Sequence, residues 1–217
     1  HLGRFAIVTI ACINNIDELS QELLDKKMPF SEMSSGKINQ TELIALLISE
    51  EDSFVAGIEN VQKKINGSCS ILLLTENEII AARDKLGRLP MVIAQKEEGY
   101  AVSCESCSFH NLEYEPCYNL GPGEIVKVTA DGYEQLRAPG KKMQICSFLW
   151  VYYGYPVSTY ENINADATRH CAGCLMGKKD DCKADYVAAV PDSGIGFAIG
   201  YSNGSGIPYK RAIIKYT

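Results

Sequence analysis

Apolar side chains recur three and four positions apart in three stretches near the start of the chain, and every second position further on. In NNIDELSQELL, Ile16, Leu19 and Leu23 share one helical face, and Asn15 with Glu18 three residues later has the form of a capping box. The signature returns at Asn39 and Glu42, ahead of Leu43, Ile44, Leu47 and Ile48. A third helix is predicted through Phe54, Ile58, Val61 and Ile65, closing at Gly67. Upstream of all three, AIVTIACI reads as a buried strand. From Ser70 the period becomes two: ILLL, NEIIAARD, PMVIAQ, GYAVSCE and GEIVKVTADGYEQL are short β-rich runs separated by Glu-Asn, Gly, Glu-Gly and Asp-Gly turns. That pattern predicts antiparallel hairpins, and helices beside an antiparallel meander predict an α+β layered domain.

The pattern changes after Ala138-Pro139-Gly140-Lys141-Lys142, which reads as a linker. Asn164 is positioned to cap a helix running through Leu175. ADYVAAV, apolar on both faces, reads as a buried strand; the loop PDSG, a helical GFAIGYSNGSG and a second apolar run RAIIK follow, which together make one βαβ unit. Ser193 and Gly194 then lie where free backbone N–H groups at a helix N-terminus would form an anion site, although neither GxxxxGK[ST] nor GxGxxG is present.

Charge and cysteine usage narrow the chemistry. With 27 acidic and 21 basic side chains, the net charge of −6 argues against binding a nucleic-acid backbone. No apolar run approaches the roughly 20 residues of a membrane-spanning helix. Nine cysteines, an odd number scattered along the chain, predict free thiols in a reducing cytoplasm. His1 at the start and Thr217 just after the apolar Ile213-Ile214 read as the ends of a fragment. Cys104-x-x-Cys107 and Cys171-x-x-Cys174 have knuckle-like internal spacing, but the gap between the pairs far exceeds the roughly 15 to 20 residues of a zinc ribbon. Cys171 and Cys174 also suit packing along a helix.

RDKLGRLPMVI, then YAVSCES, LGPGEIVKV, MQICSFLWVYYGYP and ADYVAAVPDSGIGFAIGYSNGSGIPY, in that order, resemble the amidophosphoribosyltransferase family, the glutamine phosphoribosylpyrophosphate amidotransferases of purine synthesis. The resemblance covers almost all of the chain. It implies a fold in which residues 1–138 form an α+β N-terminal-nucleophile (class II glutamine amidotransferase) sandwich, with residues 139–217 beginning an α/β phosphoribosyltransferase domain. It implies an enzyme making 5-phosphoribosylamine from phosphoribosyl pyrophosphate, with glutamine or ammonia as nitrogen donor and Mg²⁺ as cofactor, in a cytoplasmic homo-oligomer. Arg83, Asp84, Gly87, Arg88 and Pro90 would be the family's Arg-Asp-x-x-Gly-x-x-Pro turn, a marker of the fold in which Asp84 can pair with either arginine.

The same resemblance sets out what catalysis would require. Glutamine hydrolysis uses an N-terminal Cys, which would lie upstream of His1, and an oxyanion hole made by an Asn side chain and a Gly N–H. The family's His-Asn-Gly-Asn segment aligns with Thr9, Ile10, Ala11 and Cys12, and Ile10 has no side-chain donor. A two-residue slip would bring Asn14 and Asn15 closer to that role. The family's Asp that anchors the glutamine amino group aligns with Gln40, a neutral amide. These departures leave two readings open: a transferase with an impaired glutaminase, or a non-catalytic glutaminase-like scaffold or regulatory homologue. Cys12, expected in a buried strand without a nearby His, would be inert as a substitute nucleophile. In the second domain the resemblance assigns Pro191, Asp192, Ser193 and Gly194 to a pyrophosphate loop and Lys215 to the start of a lid. The paired acidic loop for ribose 5-phosphate and Mg²⁺ would lie beyond Thr217. Some members carry a 4Fe-4S cluster, and Cys146 in QICSF resembles one of its ligands.

Overall fold

The structure, a computed structural model, describes residues 1–31, 33–34 (backbone only) and 36–216. Its elements run β1 (Ala6–Ile13), α1 (Ile16–Asp25), β2 (Met33–Ser34), β3 (Lys37–Ile38), α2 (Gln40–Ile48), α3 (Phe54–Lys64), β4 (Gly67–Leu74), β5 (Ile79–Ala82), β6 (Val92–Lys96), β7 (Gly99–Ser103), α4 (Cys107–His110), β8 (Glu115–Asn119), β9 (Ile125–Val128) and β10 (Tyr133–Arg137). A single π-helical turn (Leu149–Tyr153), β11 (Thr159–Tyr160), β12 (Ile163–Asn164), α5 (Ala165–Lys179) and α6 (Ile195–Ser205) complete the chain. Two compact units result: residues 1–104 with 112–145, and residues 105–111 with 146–217. The compact units divide after Ile145, whereas the resemblance implies a boundary at about residue 138. Residues 139–145 stay with the first unit because Gly140 N–H donates to Pro122 O at 2.7 Å and Gln144 N–H to Leu86 O at 2.7 Å.

The first unit is layered. A five-stranded antiparallel sheet in the order β1-β4-β5-β9-β10 and a three-stranded sheet in the order β7-β6-β8 supply two strand layers. Leu19, Leu23, Leu43, Ile44, Leu47, Ile58 and Val61 of the three helices pack on Ile71, Leu73, Ile80 and Ala82 of the larger sheet. The opposite face of that sheet, through Ala81, Val126 and Val128, packs on Met91, Ile93 and Leu120. Strands buried on both faces, such as β5, follow from this arrangement and need no alternation. β8 went unread in the sequence. Its Pro116 argues against a strand, yet β8 is an edge strand whose register against β6 shifts at Pro116, where a proline is tolerated.

β1 is not the buried strand that its composition predicts. It is the edge of the five-stranded sheet, paired with β4 from Ala6↔Leu74 to Ile13↔Gly67. Its outward face carries Val8 at 63% and Ile10 at 51% exposure, and Cys12 is exposed beside them. The caps divide. Asn39 caps α2, accepting from the amides of Thr41 and Glu42, but Asn15 makes no cap bond to α1. Its Nδ2 donates to Lys64 O at 3.0 Å and its Oδ1 accepts from Asn66 N–H at 2.9 Å, tying the start of α1 to the entry of β4.

In the second unit α5 and α6 pack backbone to backbone. A Cβ on Gly173 or Gly177 of α5 would run into the carbonyl oxygens of Phe197 or Tyr201, and one on Gly200 or Gly204 of α6 into those of His170 or Cys174. Buried Arg169 of α5 donates from Nε to Trp150 O at 2.7 Å and from one terminal nitrogen to Tyr152 O at 3.0 Å and Gly154 O at 2.6 Å. It thereby satisfies carbonyls at the end of the π-helical turn. Glu105 accepts from the hydroxyls of Ser158 and Tyr160, and Ser106 Oγ accepts from Thr159 N–H, which docks residues 105–106 on β11. The expected βαβ unit is only partly formed among the described residues: α6 is present, but residues 184–190 and 211–215 form no strands. A single parallel bridge, Val187↔Tyr209, stands in their place. Tyr186 and Val190 are exposed, whereas a strand is buried on both faces only where layers pack against both.

Candidate functional site

The Arg-Asp turn is built from side chains that hold backbone. Arg83, fully buried, donates from Nε to Leu89 O at 2.7 Å and through its terminal nitrogens to Leu120 O and to Gly87 O at 2.9 Å. Asp84, 4% exposed, accepts from Cys69 N–H at 3.1 Å, Leu86 N–H at 3.0 Å and Arg88 N–H at 3.2 Å. Gly87 adopts φ +67°, which a side chain would resist. The turn is therefore held by carbonyls and amides rather than resting on the ion pair anticipated between Asp84 and an arginine. Beside it, burial and the Asp84 charge push the Cys69 thiol up to about 12, so this cysteine stays protonated. Glu124, fully buried, accepts from Tyr118 Oη at 2.7 Å and Gly121 N–H at 2.6 Å, and the carboxylate pushes the Tyr118 hydroxyl up to about 12.

The residues aligned with the glutamine site separate in space. Ile10 lies mid-strand opposite Ser70 and points outward, and Ala11 pairs with Cys69. Gln40 is the first residue of α2 and lines a cleft of about 840 Å³ with Ile16, Asp17, Gly36, Lys37, Ile38 and Asn39. Neither Ile10 nor Ala11 lines that cleft; the first residues of α1, Ile16 and Asp17, line it with Gln40 instead. Of the two asparagines in the turn, Asn15 is committed to Lys64 and Asn66, while the exposed Asn14 is held by its own N–H to Asn66 O. Thr9, the inward neighbour of Ile10, shares a 2.8 Å hydroxyl–hydroxyl hydrogen bond with Thr41. Cys12 is exposed on the same face of β1 as Val8 and Ile10, so the buried setting expected for it is absent.

At the other candidate site, Pro191–Gly194 form a tight turn that leads directly into α6. The Gly194 amide is not free as anticipated: it donates to Val190 O at 3.1 Å, and Ile195 N–H donates to Asp192 O at 3.2 Å. Ser193 is half-buried, and a side chain at Gly194 would meet Val190 O. Lys215 lies in an exposed segment without regular secondary structure. Among the described residues no three His, Cys, Asp or Glu side chains are grouped closely enough to hold a metal ion, so Cys146 has no companion ligands there and the two Cys-x-x-Cys pairs assemble no centre. Asp17 and Lys37, which sequence reading passed over, are the charged residues of the Gln40 cleft. Asp17 reads as an ordinary acid in the first turn of a helix, which hides it.

Comparison with known proteins follows the same division. The glutamine amidotransferase domain family matches residues 1–111, more than half of the 217 residues. The chain belongs to that family. Amidophosphoribosyltransferase of Methanocaldococcus jannaschii is 31% identical, over 98% of this chain and 48% of its own length. That of Bacillus subtilis is 30% identical, over 98% of this chain and 44% of its own. A solved structure of glutamine phosphoribosylpyrophosphate (PRPP) amidotransferase from B. subtilis, complexed with ADP and GMP, superposes with a TM-score of 0.89 at 28% identity, covering 100% of this chain and 48% of that one. The chain thus spans about half the length of the relatives it matches, and its α+β layers are those of this family. No helix of the described residues is long and apolar enough to cross a membrane.

Proposed function

We propose that the full protein is an amidophosphoribosyltransferase, forming 5-phosphoribosylamine from phosphoribosyl pyrophosphate with nitrogen from glutamine or ammonia, the first step of purine synthesis de novo. The observation that carries this reading is a match that extends through both units, over 98% of the chain, to relatives bearing that name. In this reading residues 1–138 supply the glutaminase-like domain and residues 139–217 the start of the phosphoribosyltransferase domain. Ser193 offers its hydroxyl and amide to the departing pyrophosphate, whose Mg²⁺ is supplied with the substrate, while Lys215 neutralises charge on it. The Gly194 amide contributes only if its bond to Val190 is exchanged for one to the ligand. A cluster at Cys146 would have to draw its other ligands from outside the described residues. We assign the protein to the cytoplasm as a homo-oligomer.

Turnover of the full protein with glutamine, set against turnover with ammonium chloride, tests the assignment. Phosphoribosylamine from ammonium and phosphoribosyl pyrophosphate is expected. Failure with both nitrogen donors would leave the scaffold reading in its place. Rates with glutamine equal to those with ammonium would show an intact glutaminase, despite Ile10 and Gln40. In that case Asn14→Ala should lower the glutamine rate by about 10²-fold or more if Asn14 supplies the missing oxyanion donor.

A further inference from the structure

The chain contains two Asn-Gly pairs, Asn66-Gly67 and Asn203-Gly204. In this dipeptide the glycine amide can attack the asparagine side chain ahead of it, because glycine puts no Cβ in the way of the five-membered ring that forms. The fold treats the two pairs differently. Asn203 lies in α6, where its Nδ2 donates to His170 Nε2 at 2.9 Å and the Gly204 amide belongs to the helical ladder. Asn66 occupies the bend between α3 and β4, and its exposed side chain bonds to nothing among the described residues.

The nucleophile at the first pair is directed away from the sheet partner. Amides along an antiparallel strand face the partner strand and the opposite side in turn. Asn66 O faces β1, accepting from Asn14 N–H at 2.8 Å, whereas Cys69 N–H faces away and donates to Asp84 Oδ1 at 3.1 Å. Gly67 shares the direction of Cys69, on the side where β5 pairs with β4 only from Ile71 onward. The glycine is itself required: at φ +145° a Cβ would run into Cys12 O. What demands a glycine after Asn66 is the close approach of β1, and that demand creates the reactive pair.

We propose that Asn66 is a site of spontaneous deamidation, and that its isoaspartyl product loosens the turn between β1 and α1. Gly67 N bonds to Asn66 Cγ, the Cγ–Nδ2 bond breaks, and the nitrogen leaves as ammonia with the proton given up by Gly67. Water then opens the succinimide at either carbonyl, yielding aspartate or isoaspartate. In isoaspartate the main chain runs through the former side chain and gains a methylene. Residue 66 is pinned on both sides, its N–H donating to Asn15 Oδ1 at 2.9 Å and its O accepting from Asn14 N–H, and Gly67 has no room to move toward Cys12. A longer link between those anchors cannot keep the bonds to Asn14 and Asn15 together with the pairing of Gly67 opposite Ile13.

Full-length protein aged at neutral and at mildly alkaline pH, then digested, reports conversion at each site by peptide mass and by labelling with an isoaspartyl methyltransferase. Asn66 is expected to convert at least about tenfold faster than Asn203, whose reaction waits for α6 to open locally. The rate should rise with hydroxide concentration, and isoaspartate should form part of the product. Asn66→Gln, which would have to close a six-membered ring, is expected to stay intact while folding normally, since the Asn66 side chain has no partner to lose. Amide hydrogen exchange at Asn14 should be faster in the aged protein than in freshly prepared Asn66→Asp, which carries the charge without the longer main chain. Equal conversion at Asn66 and Asn203, or an intact Asn66 after a time in which a peptide of residues 62–71 has converted, would overturn the site. Unchanged exchange at Asn14 in the isoaspartyl form would overturn its effect on the turn.

Discussion

Asp84 and Arg83 show how two charged residues become parts of a core. Each is buried, and each spends its hydrogen-bonding capacity on backbone: Asp84 on three amides, Arg83 on carbonyls of Gly87, Leu89 and Leu120. Asp84→Ala would strand the amides of Cys69, Leu86 and Arg88 in a site closed to water. A loss of about 3 kcal/mol or more in unfolding free energy is expected, measured by urea denaturation, with Asp84→Asn costing less because the amide keeps one acceptor oxygen. At this scale the sequence was partly legible. Gly87 and Pro90 mark a turn in any context, but spacing suggests an ion pair for Asp84 where backbone amides are its partners, because sequence does not show which main-chain groups will arrive from β4 and from residue 120. Asp17 was passed over for a similar reason: the cleft it lines with Gln40 and Lys37 is assembled only by the fold.

Helices were easier to read than strands, for a reason visible in particular elements. α2 and α3 announce themselves through Asn39 and the spacing of Leu43, Leu47, Ile58 and Val61, all of it local, and the structure adds Ser53 as the cap of α3. β1 and residues 184–190 look alike in composition, yet one is a sheet edge and the other forms no strand, since burial of a strand is decided by neighbours. The α5–α6 seam was illegible as a contact, although its glycines are plain in MGKK and IGFAIGYSNGSG. Its tightness makes a sharp prediction: Gly200→Ala places a methyl against the carbonyl of His170, an obstacle of main chain rather than of a side chain able to swing away. Overpacking of this kind should cost about 3 kcal/mol, at the upper end of its usual range, and would appear as a lowered midpoint of helix loss followed by far-ultraviolet circular dichroism. Gly206, at φ +78° with nothing near its absent Cβ, should instead lose only what the left-handed backbone demands, about 1 kcal/mol.

For the molecule as a whole, the net charge of −6 and the order of motifs bear on function more directly than any single residue does. They argue against a nucleic-acid binder, and the family matched over residues 1–111 is one of glutamine amidotransferase domains. The position of β1 at the margin of its sheet has a further meaning for how the chain behaves in the test tube. Among the described residues its eight positions pair only with β4, so a flat row of main-chain donors and acceptors, fringed by Val8 and Ile10, lies ready to template another copy of itself. Solutions of the isolated chain should scatter more light as concentration rises, and Ile10→Lys should suppress this growth without altering the unfolding midpoint, since Ile10 faces out. In solutions of the isolated chain, the same strand that forms the rim of the sheet is then expected to set how concentrated the sample can be before it begins to polymerise.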